Sequence, residues 1–410
     1  MHKLIIDEKY EFIPPHRGKF WSWAFRKFLL RSFLRRSYGI TGWTLEGLDN
    51  LRASIKSGHG ILLCPNHCRP SDPMMMGVIV KETPCHVYAM ASWHIFKQSR
   101  LENFIVRRIG GFSVYREGLD RQALETSIDI VASAERPLVI FPEGVISRSN
   151  DRLLPLMEGV SFVARTAAKK RAKLATPGKV VIHPVAIRYQ LQGTPEDSVG
   201  EVLTALEGRT FWQAHHHLPI RDRISQLGKA LMASREVEYF GSPQVGRVSE
   251  RKQRLIRRVL EPIECLLFGS ERSGDVISRV KEIRSTIVPK LLDPALPDAE
   301  RTTCWRQLTD VYYIQCLSLY PPHYLDDDTY GIVTPERIVE TVHRLEEDLT
   351  DKVTIKPEWH AHFKIGEAIE VDPAGRRVKG VDPLMQTLRQ NMLQLLGVDD
   401  WWPDFFEQPS

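Results

Sequence analysis

Short apolar runs alternate with stretches of helical period through the first half of the chain. Ile61-Leu62-Leu63-Cys64 is a run of buried-strand length that breaks at Pro65 and Asn66. Leu138-Val139-Ile140-Phe141 is a second such run, and residues 181–189 read as a third. Thr83 to Met90 reads as another strand. The glycines and β-branched residues from Gly110 to Arg116 suggest a turn into a strand that delivers Arg116 at its end. Helical spacing lies between these runs, around residues 96–108 and again over 120–134, where Ala123, Leu124, Ile128 and Val131 recur and Pro137 stops the pattern. Strands alternating with helices predict an α/β sheet whose ligands sit beyond the carboxyl ends of the strands. From about residue 194 to 352 the texture becomes helical, with helices predicted over 220–235, 248–268, 276–292, 299–318 and 335–349. A strand over 362–371 and a helix over 382–396 follow.

After the run at 61–64 comes His67, with Asp72 five positions later and directly before Pro73. Asp-Pro starts helices: the aspartate caps free amides and proline accepts the first helical position. His67 therefore falls in a strand-to-helix crossing and Asp72 at the helix mouth. That is the arrangement of a general base and the carboxylate that fixes its tautomer. Alone the spacing is common, since a single histidine is more often a satisfied structural residue.

Between Phe12 and Leu45 there is no acidic residue, while Arg17, Lys19, Arg26, Lys27, Arg31, Arg35 and Arg36 are basic. On a helical wheel Trp21, Ala24, Phe25, Phe28 and Leu29 share a face, with Trp23 and Leu30 on the far side. Either this face packs on the domain behind it, or residues 17–36 lie on an anionic membrane surface. The exclusion of acids over such a length favours the membrane.

Length and composition set the frame. At 410 residues, 42% hydrophobic and 26% charged, the chain is of globular type, and its net charge of +5 with no matching motif argues against nucleic acid. Six scattered cysteines without a CxxC pair read as reduced thiols, and His215-His216-His217 lacks ligand-spaced partners, so no metal is expected. No run reaches the ~18 apolar residues of a membrane-crossing helix. The polar, mixed residues 1–11 do not resemble a signal peptide. The expectation is a cytoplasmic protein at the inner face of the membrane.

Four blocks occur in order: Asn66-His67-x4-Asp72; Gly111 to Arg116; Phe141-Pro142-Glu143-Gly144 with Ser147-Arg148; and Val181-Ile182-His183-Pro184-Val185. Together they resemble the glycerolipid acyltransferases, which include the lysophosphatidate and glycerol-3-phosphate acyltransferases. The resemblance implies a mixed sheet flanked by helices. It also implies transfer of a fatty acyl group from acyl-CoA or acyl carrier protein to a glycerolipid hydroxyl such as that of lysophosphatidate or glycerol-3-phosphate. His67 would be the base and Asp72 its orienting partner, and Arg116, Glu143, Gly144 and Arg148 would hold the acceptor, with no cofactor beyond the acyl donor. A thioester hydrolase, or a non-catalytic module that binds lipid or carrier, are the alternatives.

The sequence departs from the family pattern at Val145 and Ile146, where members usually carry threonine and arginine. Around Leu154 to Gly159 it lacks the basic residues that many members place there. Attraction for a phosphate is correspondingly reduced. The implied organisation is a basic, aromatic segment over 1–41, an α/β domain over 42–193, a helical insertion over 194–352, and a closing strand and helix over 353–410.

Overall fold

The strand that carries the histidine, β2 (Gly60–Pro65), is buried along its whole length, as a continuous apolar run in a parallel sheet requires. The computed structural model describes residues 8–83, 85–174, 178–321, 324–325, 333–375 and 382–398. Among them eight strands make one sheet: β1 (Ile40–Glu46), β2, β3 (Tyr88–Ser92), β4 (Gly111–Val114), β5 (Leu138–Val139), β6 (Val180–Gln192), β7 (Glu358–Ile365) and β8 (Ile369–Glu370). The order is β1-β7-β6-β2-β5-β3-β4, with β8 also paired to β6. All neighbours run parallel except β7 and β8, which run antiparallel to β6. The sheet is therefore mixed, as expected. β7 arrives from the far end of the chain and fills a central position between β1 and β6.

Helices of this unit are α1 (Phe20–Ala24), a π-helical turn (Phe25–Leu29), α2 (Leu30–Tyr38), α3 (Leu48–Lys56), α4 (Asp72–Lys81), α5 (Trp93–Gln98), α6 (Arg100–Arg108), α7 (Arg121–Ser133) and α8 (Gly159–Arg171). A last helix (Pro383–Leu396) covers β6 and is tied to α8 by twin Arg165–Asp382 hydrogen bonds of 2.6 Å. The core joins Leu62 and Cys64 of β2 to Phe112, Val131, Leu138, Val163, Ile182 and Met392.

The structure departs from the sequence expectations in three places here. The strand expected over 83–90 begins only at Tyr88. Helix α8 was not anticipated, although Val160, Val163, Ala164, Ala167 and Ala168 follow helical spacing and are all buried. In the N-terminal helix Trp23, placed with Leu30 on the far side of the wheel, is exposed like Trp21, Phe28 and Leu29, while Ser22, Leu30 and Leu34 are the inward side chains. The π turn adds a residue to the helical register, so an ideal wheel does not describe the two ends together.

A second compact unit comprises, among the described residues, 8–9, Arg116–Gly118 and those within Gly193–Pro357. Its helices are α9 (Pro195–Thr210), α10 (Ile220–Phe240), α11 (Val248–Phe268), α12 (Val276–Leu291), α13 (Asp298–Ser318) and α14 (Pro335–Thr350). It is built on a repeated clamp. Glu236 and Glu264 both begin the pattern Glu-x3-Phe-Gly-Ser-x3-Gly-x-Val-x2-Arg, 28 residues apart. Each carboxylate sits near the end of its helix and accepts the backbone N–H eight positions on, Gln244 for Glu236 and Arg272 for Glu264. Each then takes a forked pair of bonds from the arginine fifteen positions on, Arg251 and Arg279. Glu207 repeats the device with His215 and Arg223. Burial alone would raise the Glu236 carboxyl, but Arg251 and the Gln244 amide hold it below the ordinary range. The basic residues of α11 are thus partly internal: Arg251 is paired, and Lys252 is buried and donates to the Tyr320 carbonyl at 2.8 Å.

Candidate active site

The chain leaves β2 at Pro65 while its neighbour β6 continues, so the backbone of β6 beyond Val185 needs new partners. Asparagine side chains supply them. Asn66 donates to the Ile187 carbonyl at 3.0 Å and accepts the Ile187 N–H at 2.7 Å. Asn150 does the same for Tyr189, at 2.6 and 2.9 Å. Each amide side chain imitates a strand residue. The two together fix the loop bearing His67 and the loop after Glu143 to one strand.

His67 Nδ1 lies 2.9 Å from Asp72 Oδ2. The Asp72 side chain is fully buried and that of His67 is 14% exposed. Helix α4 begins at Asp72 itself with Ser71 as N-cap, so the carboxylate does not cap the helix as the Asp-Pro signature predicts. It is turned back over the loop, where it also accepts the Arg69 N–H at 2.8 Å and the Tyr189 hydroxyl at 2.6 Å. Burial and the nearby Asp72 push the Tyr189 hydroxyl well above its ordinary range, which keeps it protonated and donating. The Arg69 guanidinium lies over the rings of Trp359 on β7, at 3.5 Å, and of Tyr189, at 4.8 Å. The phenyl ring of Phe141 packs 4.2 Å from the His67 ring.

Glu143 follows β5, at the same end of the sheet as His67. It is 2% exposed. One oxygen accepts the His67 backbone N–H at 2.6 Å and the other the Leu154 N–H at 2.9 Å. Burial pushes this carboxyl up to about 7, while the two amides and Arg152 pull it back. The structure thus brings together His67, Asp72 and Glu143, with Glu143 gripping backbone.

Gly144 has φ +68°, and a Cβ there would lie 2.3 Å from Met157 Sδ. Arg148 is a non-glycine residue at φ 61°, a left-handed conformation that costs of the order of 1–2 kcal/mol. Arg116 belongs to the helical unit, with Glu117, Lys281 and Arg284. Burial and then Arg284 lower its guanidinium to about 10. Burial and Arg116 lower the Lys281 ammonium as well.

Residues 43–188 match the family model described as Acyltransferase. They form a glycerolipid acyltransferase family domain. No curated protein matches the chain. The acyltransferase domain spans all four sequence blocks, and β7, which completes its sheet, comes from beyond the matched residues. Among the described residues no helix is long and apolar enough to cross a membrane. The aromatic pairs Trp401-Trp402 and Phe405-Phe406 lie outside the described residues.

Residues Tyr189, Asn150 and Arg69 support the candidate site without having been singled out by motif, whereas Asn66 belongs to the first block. Tyr189 had one usable signal, a phenol at the end of a buried strand whose hydroxyl needs a partner.

Proposed function

We propose that the chain is an O-acyltransferase that moves a fatty acyl group from acyl-CoA or acyl carrier protein to a glycerolipid hydroxyl, such as that of lysophosphatidate or glycerol-3-phosphate. The observation that carries this reading is the 2.9 Å bond between His67 Nδ1 and the buried Asp72 carboxylate. With Nδ1 committed to Asp72, Nε2 is the nitrogen that takes the proton from the acceptor hydroxyl. The alcohol oxygen attacks the thioester carbon, and the tetrahedral intermediate collapses with cleavage of the carbon–sulfur bond. The thiolate leaves and recovers the proton from His67. Asp72 supports the imidazolium formed in between, and Arg69 N–H and Tyr189 hold Asp72.

In this reading Glu143 positions the main chain of His67. Gly144 and Arg148 are the candidates for acceptor contact, and the part of Arg116 in holding an anionic acceptor rests on the sequence resemblance. The enzyme works on the cytoplasmic face of an anionic membrane, reached through residues 17–36, where Phe20, Trp21, Trp23 and Phe28 are exposed.

The test is release of CoA thiol from a long-chain acyl-CoA with and without each acceptor. Release should require an acceptor, and His67→Ala should abolish it while the circular dichroism spectrum is retained. Release that ignores every acceptor would instead identify a thioester hydrolase. Near-normal turnover by His67→Ala would remove the mechanism.

A further inference from the structure

The exposed aromatic residues of the N-terminal helix do not stand alone. Phe28 packs on Trp23 with ring centres 5.8 Å apart, Trp23 on Phe20 at 6.1 Å, Phe20 on Trp21 at 5.6 Å, and Trp21 on Phe104 of α6 at 5.3 Å. Five rings thus form an unbroken chain across two helices distant in sequence, and every one is exposed to solvent. Leu101, one turn before Phe104 and 67% exposed, extends the apolar surface on α6. Ordinary solvated surface does not concentrate five contacting rings.

Cations sit directly on this chain. The Arg108 guanidinium lies over both Trp21 and Phe104, at 5.9 and 5.0 Å, and joins the two helices. Lys27 lies over Trp23 and Phe28, at 5.1 and 5.6 Å. Arg100 and Arg107 of α6 are exposed. The acid of α6, Glu102, hydrogen-bonds with Ser99 at the start of that helix. Arg26 is taken up elsewhere, donating to the carbonyls of Val80 and Cys85, and so anchors the N-terminal helix to the α/β unit. The surface is consequently fixed in place.

We infer that α6 and the N-terminal helix together form one docking surface for an anionic lipid bilayer, with Leu101 and Phe104 entering the interface beside Trp21. This rests on the membrane reading of residues 17–36 and adds a second helix to it. Rings at headgroup depth with cations at their faces suit a surface rich in anionic lipid, whereas a protein partner would not need so uniform a charge.

The test is flotation of the full chain with phosphatidylcholine vesicles, alone or containing phosphatidylglycerol. The wild type should float with the anionic vesicles and lose them in high salt. Leu101→Ser combined with Phe104→Ser should weaken that binding by about tenfold or more. Arg100→Gln combined with Arg107→Gln should weaken it selectively on anionic vesicles. Unchanged thermal unfolding of both variants keeps the comparison valid, since these side chains are exposed. If the wild type floats with anionic vesicles and both α6 variants float equally well, α6 is not part of the surface and this inference falls alone. If the wild type floats with neither vesicle, the membrane reading itself falls.

Discussion

The Tyr189 hydroxyl donates to Asp72 Oδ1 at 2.6 Å across 117 positions of sequence, while His67 Nδ1 holds the other oxygen of the same carboxylate. The orientation of Asp72 is therefore set by β6 as much as by its own loop.

Tyr189→Phe should lower kcat by about tenfold with KM little changed. Loss of a hydrogen bond to a charged group is worth about 1.5–3 kcal/mol, and 1.4 kcal/mol is tenfold in rate. Steady-state kinetics separates the outcomes, because a raised KM at unchanged kcat would assign Tyr189 to substrate binding instead.

Glu143 gives a pH dependence with a definite sign. Its carboxyl is raised by burial from 4.5 to about 7 in the folded protein. Between those values the unfolded chain has released the proton and the folded chain retains it, so this group's contribution is present below pH 4.5 and is lost as pH rises through 7. Glu143→Gln does not titrate, and its amide group cannot accept both backbone N–H bonds. Its destabilisation relative to wild type, from urea unfolding, should be greater at pH 5 than at pH 8, by about 2 kcal/mol. An equal difference at both values would contradict the proposed protonation.

Gly144→Ala should destabilise by about 1–2 kcal/mol, because alanine is strained at φ +68° and its Cβ meets Met157 Sδ. Thermal melting checks it. Adding Met157→Ala should recover the steric part of the loss and leave the backbone part.

In the helical unit, Glu264→Ala removes the forked partner of the buried Arg279, leaving it only the 3.2 Å bond to the half-exposed Glu271, and leaves the Arg272 N–H without its acceptor. The loss should be about 3–5 kcal/mol. Glu282, paired with the same Arg272 at 2.9 Å but half exposed, provides the contrast. Glu282→Ala should cost about 0.5 kcal/mol or less. Comparable losses in urea unfolding would show that the repeated clamp does not hold the unit together.

Much of the site was legible in the chain because its parts are local. A buried apolar run must end in a strand terminus, so His67 and Glu143 were predicted beyond the ends of strands, and both lie there. The five-residue spacing of His67 and Asp72 closes within one turn of chain. What the Asp-Pro signature mispredicted was the use of the carboxylate, since capping is a local choice and Tyr189 is a distant competitor. The family resemblance places Glu143 at the acceptor, whereas the fold occupies its two oxygens with the His67 and Leu154 backbone amides. The repeat in the helical unit was visible in the letters, but its meaning depends on which buried carboxylate meets which arginine.

The sequence by itself determined most of the alternation of strands and helices, the pairing of His67 with Asp72, the placement of catalytic candidates at strand ends, and the helices predicted between residues 220 and 349. Hydrophobic period and short-range chain geometry fix all of these. Tertiary structure alone decided that β7 enters the middle of the sheet, that Tyr189 and Arg69 restrain Asp72 and its loop, that Glu143 clamps backbone, and that Phe104 joins the N-terminal aromatic residues. Each is a contact between segments far apart in the chain, selected by the packing of the whole and by the need of every buried polar group for a partner.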